Sequence, residues 1–269
     1  MRGSPGKRLS VILITKNEAA SIRACLESVS FADEIVVLDS GSSDGTAALC
    51  REFTDRVYET DWPGFGPQKN RALDRSTGDW VLSIDADERV TPALRAEIEA
   101  AVAAPGENTA FRIPRSSRYC GKYIRWSGWR PDYVLRLFQR GKGRFTSDLV
   151  HERVVADGPL GTLKEPLLHE SFENLEDVLD KVNAYSTYGA AMMHRRGERA
   201  GLWTALGHGF WSFFSTYVLR AGFLDGREGF MLAVSNAEGT YYRYLKLMLL
   251  GERKSPAPSS QPPGPLSEA

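Results

Sequence analysis

The stretch Trp80-Val81-Leu82-Ser83-Ile84-Asp85-Ala86-Asp87-Glu88 closes an apolar run with three acids. The run suits a buried strand, and acidic residues are almost never fully buried unless paired, so the strand must end in a cleft. Along an extended backbone Asp85 and Asp87 point the same way, because side chains alternate with period two. Neighbouring carboxylates raise each other's pKa unless a cation sits between them. Hard divalent ions such as Mg²⁺ or Mn²⁺ take one or two carboxylates and complete their shell with substrate phosphates. The spacing therefore predicts a metal–diphosphate site, with solvated loop acids as the plain alternative.

Two more strands end in polar clusters. Leu9 to Ile14 is a nearly unbroken apolar run leading to Thr15-Lys16-Asn17-Glu18, and Glu34 to Leu38 leads to Asp39-Ser40-Gly41-Ser42. Between them Ile22, Cys25, Leu26 and Val29 recur with helical period. A short helix through Leu49 and Phe53, a strand at Val57 to Glu59 and a helix over residues 66–76 precede the strand at 80–84. Thr91-Pro92 is an N-cap with Pro at N1, followed by a buried face of Leu94, Ile98, Ala101 and Val102. Strands alternating with helices predict an α/β fold with a parallel sheet, and such sheets bind ligands beyond the C-terminal strand ends. Three polar clusters at three such ends point to one shared site.

Thr15, Asn17 and Glu18 can hold a nucleobase and ribose, or merely cap a helix. Asp39 can bind the base or ribose with Ser40 and Gly41 beside it, while Asp44 reads as a second cap. Lys69 and Asn70 face either a diphosphate or solvent. No G-x-G-x-x-G follows the first strand and no G-x-x-x-x-G-K-[ST] occurs, which argues against dinucleotide oxidoreduction and P-loop hydrolysis. Lys plus Arg and Asp plus Glu number 34 each, so bulk charge gives no argument for nucleic acid. Cys25, Cys50 and Cys120 form no CxxC and suggest core thiols in a reducing cytoplasm. The first residues run straight into a strand, with no expected signal peptide, and Ser255 to Ala269 reads as a disordered Pro/Ser tail.

In order, Ile12-Leu13-Ile14-Thr15-Lys16-Asn17-Glu18, Val36-Val37-Leu38-Asp39-Ser40-Gly41-Ser42-Ser43-Asp44-Gly45-Thr46 and Gly78-Asp79-Trp80-Val81-Leu82-Ser83-Ile84-Asp85-Ala86-Asp87-Glu88 resemble the nucleotide-sugar segments of family 2 glycosyltransferases of the GT-A fold. Trp129 to Phe138, Val150-His151-Glu152 and Gly222-Phe223-Leu224-Asp225-Gly226-Arg227-Glu228-Gly229 are similar to the lipopolysaccharide-core β-1,4-glucosyltransferase branch, the likeness running from about Leu9 to Leu250. The resemblance implies that Thr15, Glu18 and Asp39 contact the uridine of a UDP-sugar, that Asp85 touches ribose or metal, and that Asp87 ligates Mg²⁺ or Mn²⁺. It also implies an inverting displacement with Glu152 as base, where a surface pair with Arg153 is the alternative. His169 can reach the metal or diphosphate, or be structural. Arg136 can pair with the diphosphate, or occupy a polar sheet face between Leu135 and Leu137. Arg89 stands where some relatives offer a neutral metal ligand, so a third ligand would come from His169 or water.

The implied layout is an extension at 1–8, a catalytic domain at 9–172 with halves at about 9–109 and 110–172, a helical appendage at 173–250, and the tail at 251–269. The appendage begins with a long helix after Asn174. Ala200 to Leu219 carries no formal charge, is rich in aromatics and is surrounded by Arg195, Arg196, Arg199, Arg220 and Arg227. Tyr241, Leu245, Met248 and Leu249 form a stripe, with Arg243 and Lys246 off it. Aromatics flanked by cations suit helices in a membrane interface, with a core contact or a transmembrane span as alternatives. The expected acceptor is a lipid-linked saccharide, a lipopolysaccharide inner-core heptose in the first instance, at the cytoplasmic face of the inner membrane. Rival readings are a polyprenyl-phosphate or other envelope-glycan acceptor, a metal-dependent phosphohydrolase, and a non-catalytic nucleotide-sugar sensor.

Overall fold

Leu9–Thr15 (β1) and Glu34–Asp39 (β2) are buried along almost their whole lengths, as strands covered on both faces must be. They belong to a computed structural model that describes residues 7–146 and 153–252. The chain divides between Glu173 and Asn174 into two units, which are taken one at a time.

In the first unit β1 pairs in parallel with β2 and with β4 (Trp80–Ser83), and β2 pairs in parallel with β3 (Val57–Glu59). The helices α1 (Ile22–Ser28), α2 (Thr46–Arg51) and α3 (Phe65–Arg75) join these strands, and α4 (Pro92–Ala103) follows the two-residue β5 (Glu88–Arg89). Thr91 caps α4 as expected, its hydroxyl accepting from Leu94 N–H at 3.1 Å. The remaining strands are β6 (Ala110–Tyr119), β7 (Lys122–Tyr123), β8 (Tyr133–Gln139), β9 (Gly143–Phe145), β10 (Val154–Ala156), β11 (Leu160–Thr162) and β12 (Leu167–Phe172). The main sheet runs β3-β2-β1-β4-β8-β6-β12-β5. Its first half is parallel; β8 then runs antiparallel to both β4 and β6. The α/β expectation holds, with parallel pairing concentrated in the nucleotide half.

Strand alternation sorts the core onto two faces. Val11, Leu13, Val37 and Leu82 meet Cys25, Leu26, Leu94 and Ile98 on one side. Ile12, Val36, Leu38 and Val81 meet Ala72 and Leu73 of α3 on the other. The entry ends of β1, β2 and β4 are tied by a buried carboxylate. Glu34 accepts from the Ser10 hydroxyl, from Thr77 N–H at 2.7 Å and from the Thr77 hydroxyl at 2.9 Å, and it pairs with Arg56. With the entry ends fixed, the opposite ends are held together as one rim.

The second unit is helical. Its members are α5 (Leu175–Arg195), capped by Asn174 through Asp177 N–H at 2.8 Å, α6 (Leu202–Phe214) and α7 (Gly226–Glu252). A π-helical turn at Ser215–Leu219 and a 3₁₀ turn at Gly222–Asp225 lead from α6 into α7, which packs against both other helices. Among the described residues no helix is long and apolar enough to cross a membrane. The transmembrane alternative for residues 200–219 is thereby removed. Of the expected stripe on α7, Tyr241, Leu245 and Met248 are half-buried and Leu249 is exposed, while Leu247 is buried. Lys246 is tied to α5. Its ammonium donates to Asn183 O at 3.0 Å, Asn183 Oδ1 at 2.8 Å, Ser186 Oγ at 2.9 Å and Thr187 Oγ1 at 2.7 Å on α5.

Gly78 is the tightest point under β4. A Cβ there would lie 2.6 Å from Ser10 Oγ, 2.8 Å from Ser10 N and 2.9 Å from Arg8 O. Two of those atoms are backbone, so the strands would have to part. Gly78→Ala should cost about 1–3 kcal/mol, read as a lower denaturation midpoint by intrinsic fluorescence, whereas Gly207→Ala, where a Cβ meets nothing within 4 Å and φ is not left-handed, should not lower it.

Candidate active site

Asp85, Asp87 and Glu88 do not continue β4 as a pleated strand. They fold into a tight turn in which Glu88 N–H donates to Asp85 O at 3.0 Å, and this corrects the extended reading of the run. The physical reason is Glu88, which is fully buried. Its carboxylate accepts from Asp85 N–H at 2.9 Å and from Arg136 Nη2 at 2.7 Å, with Arg115 Nη1 at 3.8 Å. A carboxylate in that position is tolerable only with such partners. Burial pushes the Glu88 carboxyl up, and Arg136 opposes that push. Cys25 and Arg89 brace the turn from behind. The Cys25 thiol approaches Asp85 O at 3.4 Å, and Arg89 donates to Ala86 O, Glu88 O and Ser21 O at 2.9, 2.8 and 2.7 Å. Burial raises the Cys25 thiol far above its ordinary range, so it is an inert packing group.

Asp85 sits at the open side of this turn. Its carboxylate lies between Arg136, with which it hydrogen-bonds, and Lys69 Nζ at 3.0 Å. Burial would raise its pKa, but the charges of Arg136 and Lys69 outweigh that and hold the carboxyl well below the usual range. The cations beside Asp85 in this structure are the protein's own Lys69 and Arg136. Arg136 is nine-tenths buried between Asp85 and Glu88, so the polar-sheet-face alternative does not hold. Burial lowers the Arg136 pKa, but Asp85 and Glu88 more than reverse this and fix the guanidinium in its charged form. Its Nε–H is buried with no hydrogen-bond partner.

Asp87 turns elsewhere. β5 pairs antiparallel with β12, setting His169 opposite Glu88, and Glu170 N–H donates to Asp87 O at 2.9 Å. His169 Nε2 thereby comes to 3.1 Å from Asp87 Oδ2. Its Nδ1 lies 3.0 Å from Ser117 Oγ and 2.7 Å from Ser171 Oγ. Hydroxyls both donate and accept, so they accommodate either tautomer, including the one that leaves the Nε2 lone pair free. An oxygen donor facing a nitrogen donor whose ring is fixed from behind fits a divalent cation. Among the described residues no cluster of three His, Cys, Asp or Glu could hold a metal unaided. The rest of the shell would come from phosphate and water, as is usual for Mg²⁺.

The β1 and β2 ends form the neighbouring wall. The Asp39 carboxylate accepts from the Thr15 hydroxyl at 3.1 Å, from Gly41 N–H at 3.1 Å, from Ser42 N–H at 2.8 Å and from the Ser42 hydroxyl. Its acceptor positions are filled, so in this structure Asp39 organises the 40–42 loop. Asn17 has φ 56°, a left-handed conformation that Asn tolerates. It takes Ser43 N–H on its Oδ1 at 2.9 Å and gives its own N–H to Ser42 Oγ at 2.8 Å. The N-cap of α2 is Gly45, with no side-chain cap bond, which corrects the cap reading of Asp44; its carboxylate instead accepts from Thr46 N–H at 3.0 Å, the Thr46 hydroxyl at 2.6 Å and Ala19 N–H at 3.0 Å. Burial raises the Glu18 carboxyl, the Ser21 hydroxyl opposes this, and Asp87, Asp44 and Asp85 add to the rise. Those charges reach Glu18 only because the β1, β2 and β4 ends converge.

Of the two candidates on α3, one faces the site. Lys69 is buried against Asp85, whereas Asn70 spends its amide on Phe145, donating to its O at 2.9 Å and accepting from its N–H at 3.0 Å. Asn70 fastens β9 and is corrected from donor contact to support. Gln68, which the sequence reading passed over, is fully buried and donates to Ser40 Oγ at 3.0 Å and Thr60 Oγ1 at 2.6 Å. Its signal was position: Gln68, Ala72 and Leu73 share the helical face that meets the sheet. Glu152, the expected base, lies outside the described residues.

The chain is 33% identical over 262 residues to the lipopolysaccharide core biosynthesis glycosyltransferase LpsC of Rhizobium meliloti, covering 93% of this chain and 94% of that protein. It is 29% identical over 276 residues to an uncharacterized glycosyltransferase of Rickettsia bellii, covering 95% and 91% respectively. A solved structure with the same fold is the mannosyltransferase PcManGT of Pyrobaculum calidifontis, in complex with GDP-Man and Mn²⁺. That match has a TM-score of 0.54 at 18% identity and covers 93% of this chain and 89% of the other. The glycosyl transferase family 2 model matches residues 10–154, more than half of the chain. Strand-end clusters, fold and sequence agree: this chain is a glycosyltransferase and belongs to glycosyl transferase family 2.

Proposed function

We propose that this protein transfers a hexose, glucose in the first instance, from a UDP-sugar to a lipopolysaccharide inner-core heptose or a related lipid-linked saccharide, inverting the anomeric centre in one displacement at the cytoplasmic face of the inner membrane. One observation carries the donor half. Lys69 and Arg136 balance Asp85 and Glu88, whereas Asp87 faces the His169 ring, Nε2 at 3.1 Å. A divalent cation fits that pair, and beside it stand two buried cations suited to phosphate oxygens. The lipopolysaccharide assignment rests on the similarity to LpsC, which extends over nearly the full length of both chains.

In this reading Thr15, Asn17, Glu18, Asp39, Ser40 and Gly41 shape the uridine end. Asp85 holds Lys69 and Arg136 ready for the diphosphate. A divalent ion held by Asp87 and His169 would offset the charge that gathers on the departing UDP. Glu152 is the carboxylate that the family resemblance assigns as base. It takes the acceptor hydroxyl proton as the oxygen attacks the anomeric carbon and the bond to the diphosphate breaks. The helical unit provides the membrane contact that a lipid-borne acceptor requires, through residues about 200–250.

Asp87→Ala and His169→Ala should each abolish the stimulation of UDP-sugar binding by Mg²⁺ or Mn²⁺ in titration calorimetry. An unchanged ratio of affinities with and without metal would remove the pair as its site. Glu152→Gln should bind the donor normally while turnover falls about 10²–10⁴-fold, and near-normal turnover would show that the proton goes elsewhere. Incubation with UDP- and GDP-sugars and truncated lipopolysaccharide, followed by mass spectrometry, should give a mass gain of one hexose from a UDP donor. A gain from GDP-sugars alone would overturn the donor assignment.

A further inference from the structure

Helix α6 is built inside out. The side that packs against α7 carries Ala205, Gly209, Ser212 and Thr216, whereas Trp203 and Phe210 are 83% and 71% exposed on the other side. The close approach is steric: a Cβ on Gly209 would come within 3.2 Å of Tyr241 Cβ and 3.5 Å of Ala237 O. The remaining contacts are mixed: His208 stacks on Tyr244 at 4.1 Å and Phe213 meets Phe230 edge-on at 5.7 Å, and three more are hydrogen bonds. Ser212 Oγ donates to Asn236 O at 3.1 Å, Thr240 Oγ1 to Ser212 Oγ at 3.3 Å, and Asn236 Nδ2 to Thr216 Oγ1 at 3.4 Å. In water a helix docks through its large apolar face. Small residues joined by side-chain hydrogen bonds, with large apolar groups turned outward, are the packing of helices whose surroundings are themselves apolar.

We infer that α6 lies flat in the headgroup region of an anionic bilayer, with Trp203, Leu206, Phe210 and Trp211 inserted and its axis parallel to the surface. This deepens the membrane part of the proposed function and is independent of the donor and acceptor assignments. Its thirteen residues make about 20 Å of helix, short of the roughly 30 Å hydrocarbon core. The tip beyond it extends the apolar surface through the exposed Phe223 and Leu224. Charge selects the occupant. From Arg199 to Leu224 there is no acidic residue, and Arg196, Arg199 and Arg220 are exposed around the apolar face, with Arg227 also exposed but paired with Glu228. Lipid phosphates complement that rim, whereas a second copy of the chain would set like charges against each other.

The test is co-sedimentation of the full chain with phosphatidylcholine vesicles with and without phosphatidylglycerol, alongside sedimentation velocity without lipid. The wild type should bind the anionic vesicles and remain monomeric without them. Trp203→Ser combined with Phe210→Ser should lower partitioning at least about ten-fold while UDP-sugar binding persists, which confirms a folded catalytic unit. Arg220→Gln with Arg227→Gln should weaken binding to anionic vesicles only. Undiminished partitioning of the aromatic variant, or a lipid-free dimer that this variant dissolves, would overturn the inference. Failure of glycosyl transfer with intact vesicle binding would instead count against the proposed reaction and leave the anchor standing.

Discussion

The guanidinium of Arg136 is the constraint around which the catalytic unit is arranged. It rises from the middle of β8 into a position with little access to water, and a cation there is stable only between anions. Asp85 and Glu88 supply them, one from each side of a tight turn. The dependence is mutual, since without Arg136 the fully buried Glu88 would keep only Asp85 N–H at 2.9 Å and Arg115 at 3.8 Å. Removing one member of such a buried pair costs on the order of 3–5 kcal/mol. The turn therefore cannot relax into a continuation of β4 without leaving Glu88 and Arg136 apart.

From that turn the rest of the site follows. With the chain reversed after Asp85, β5 lies along β12 and His169 falls opposite Glu88 in register, one residue from Asp87. The two aspartates consequently serve different partners. Asp85 is neutralised from within by Lys69 and Arg136, while Asp87 faces an imidazole steadied by two serine hydroxyls. Desolvation strengthens the first arrangement, and an open coordination shell would be needed for the second. An acidic pair that looks symmetric in sequence becomes a cation holder and a candidate metal ligand.

The parallel half of the fold was legible because burial on both faces leaves unbroken apolar runs, as at Val11 to Leu13 and Val36 to Leu38. The strand-end clusters were legible for the complementary reason that polar groups must surface where the sheet stops. The turn at Asp85 to Glu88 was not legible. Its cause lies about fifty positions away in Arg136 (β8), and a single sequence shows neither that residue's burial nor its partners. The partners of Asn70 and Gln68 were hidden for a similar reason, because α3 could be recognised as a helix without fixing which side faces the sheet. Lys246 was legible only as a cation off the apolar stripe, yet Asn183, Ser186 and Thr187 sit on α5 to receive it. Pairings between distant polar groups carry no periodicity.

The helical unit shows the same limit from the other direction. Apolar periodicity locates a buried face only if the surroundings are water, and in α6 Trp203, Phe210 and Trp211 turn outward while Ala205 and Gly209 turn inward. The α5–α7 contact is polar too, with Lys246 shared among four acceptors. Hydrogen bonds of this kind add little net stability where water competes for both partners. They count for more where the alternative is an unsatisfied group in an apolar medium, although the unfolded chain in that medium also finds partners. Shape and polarity at the two helix contacts, with exposed tryptophan and phenylalanine beside arginine, are what the inferred seat of α6 between water and lipid would require.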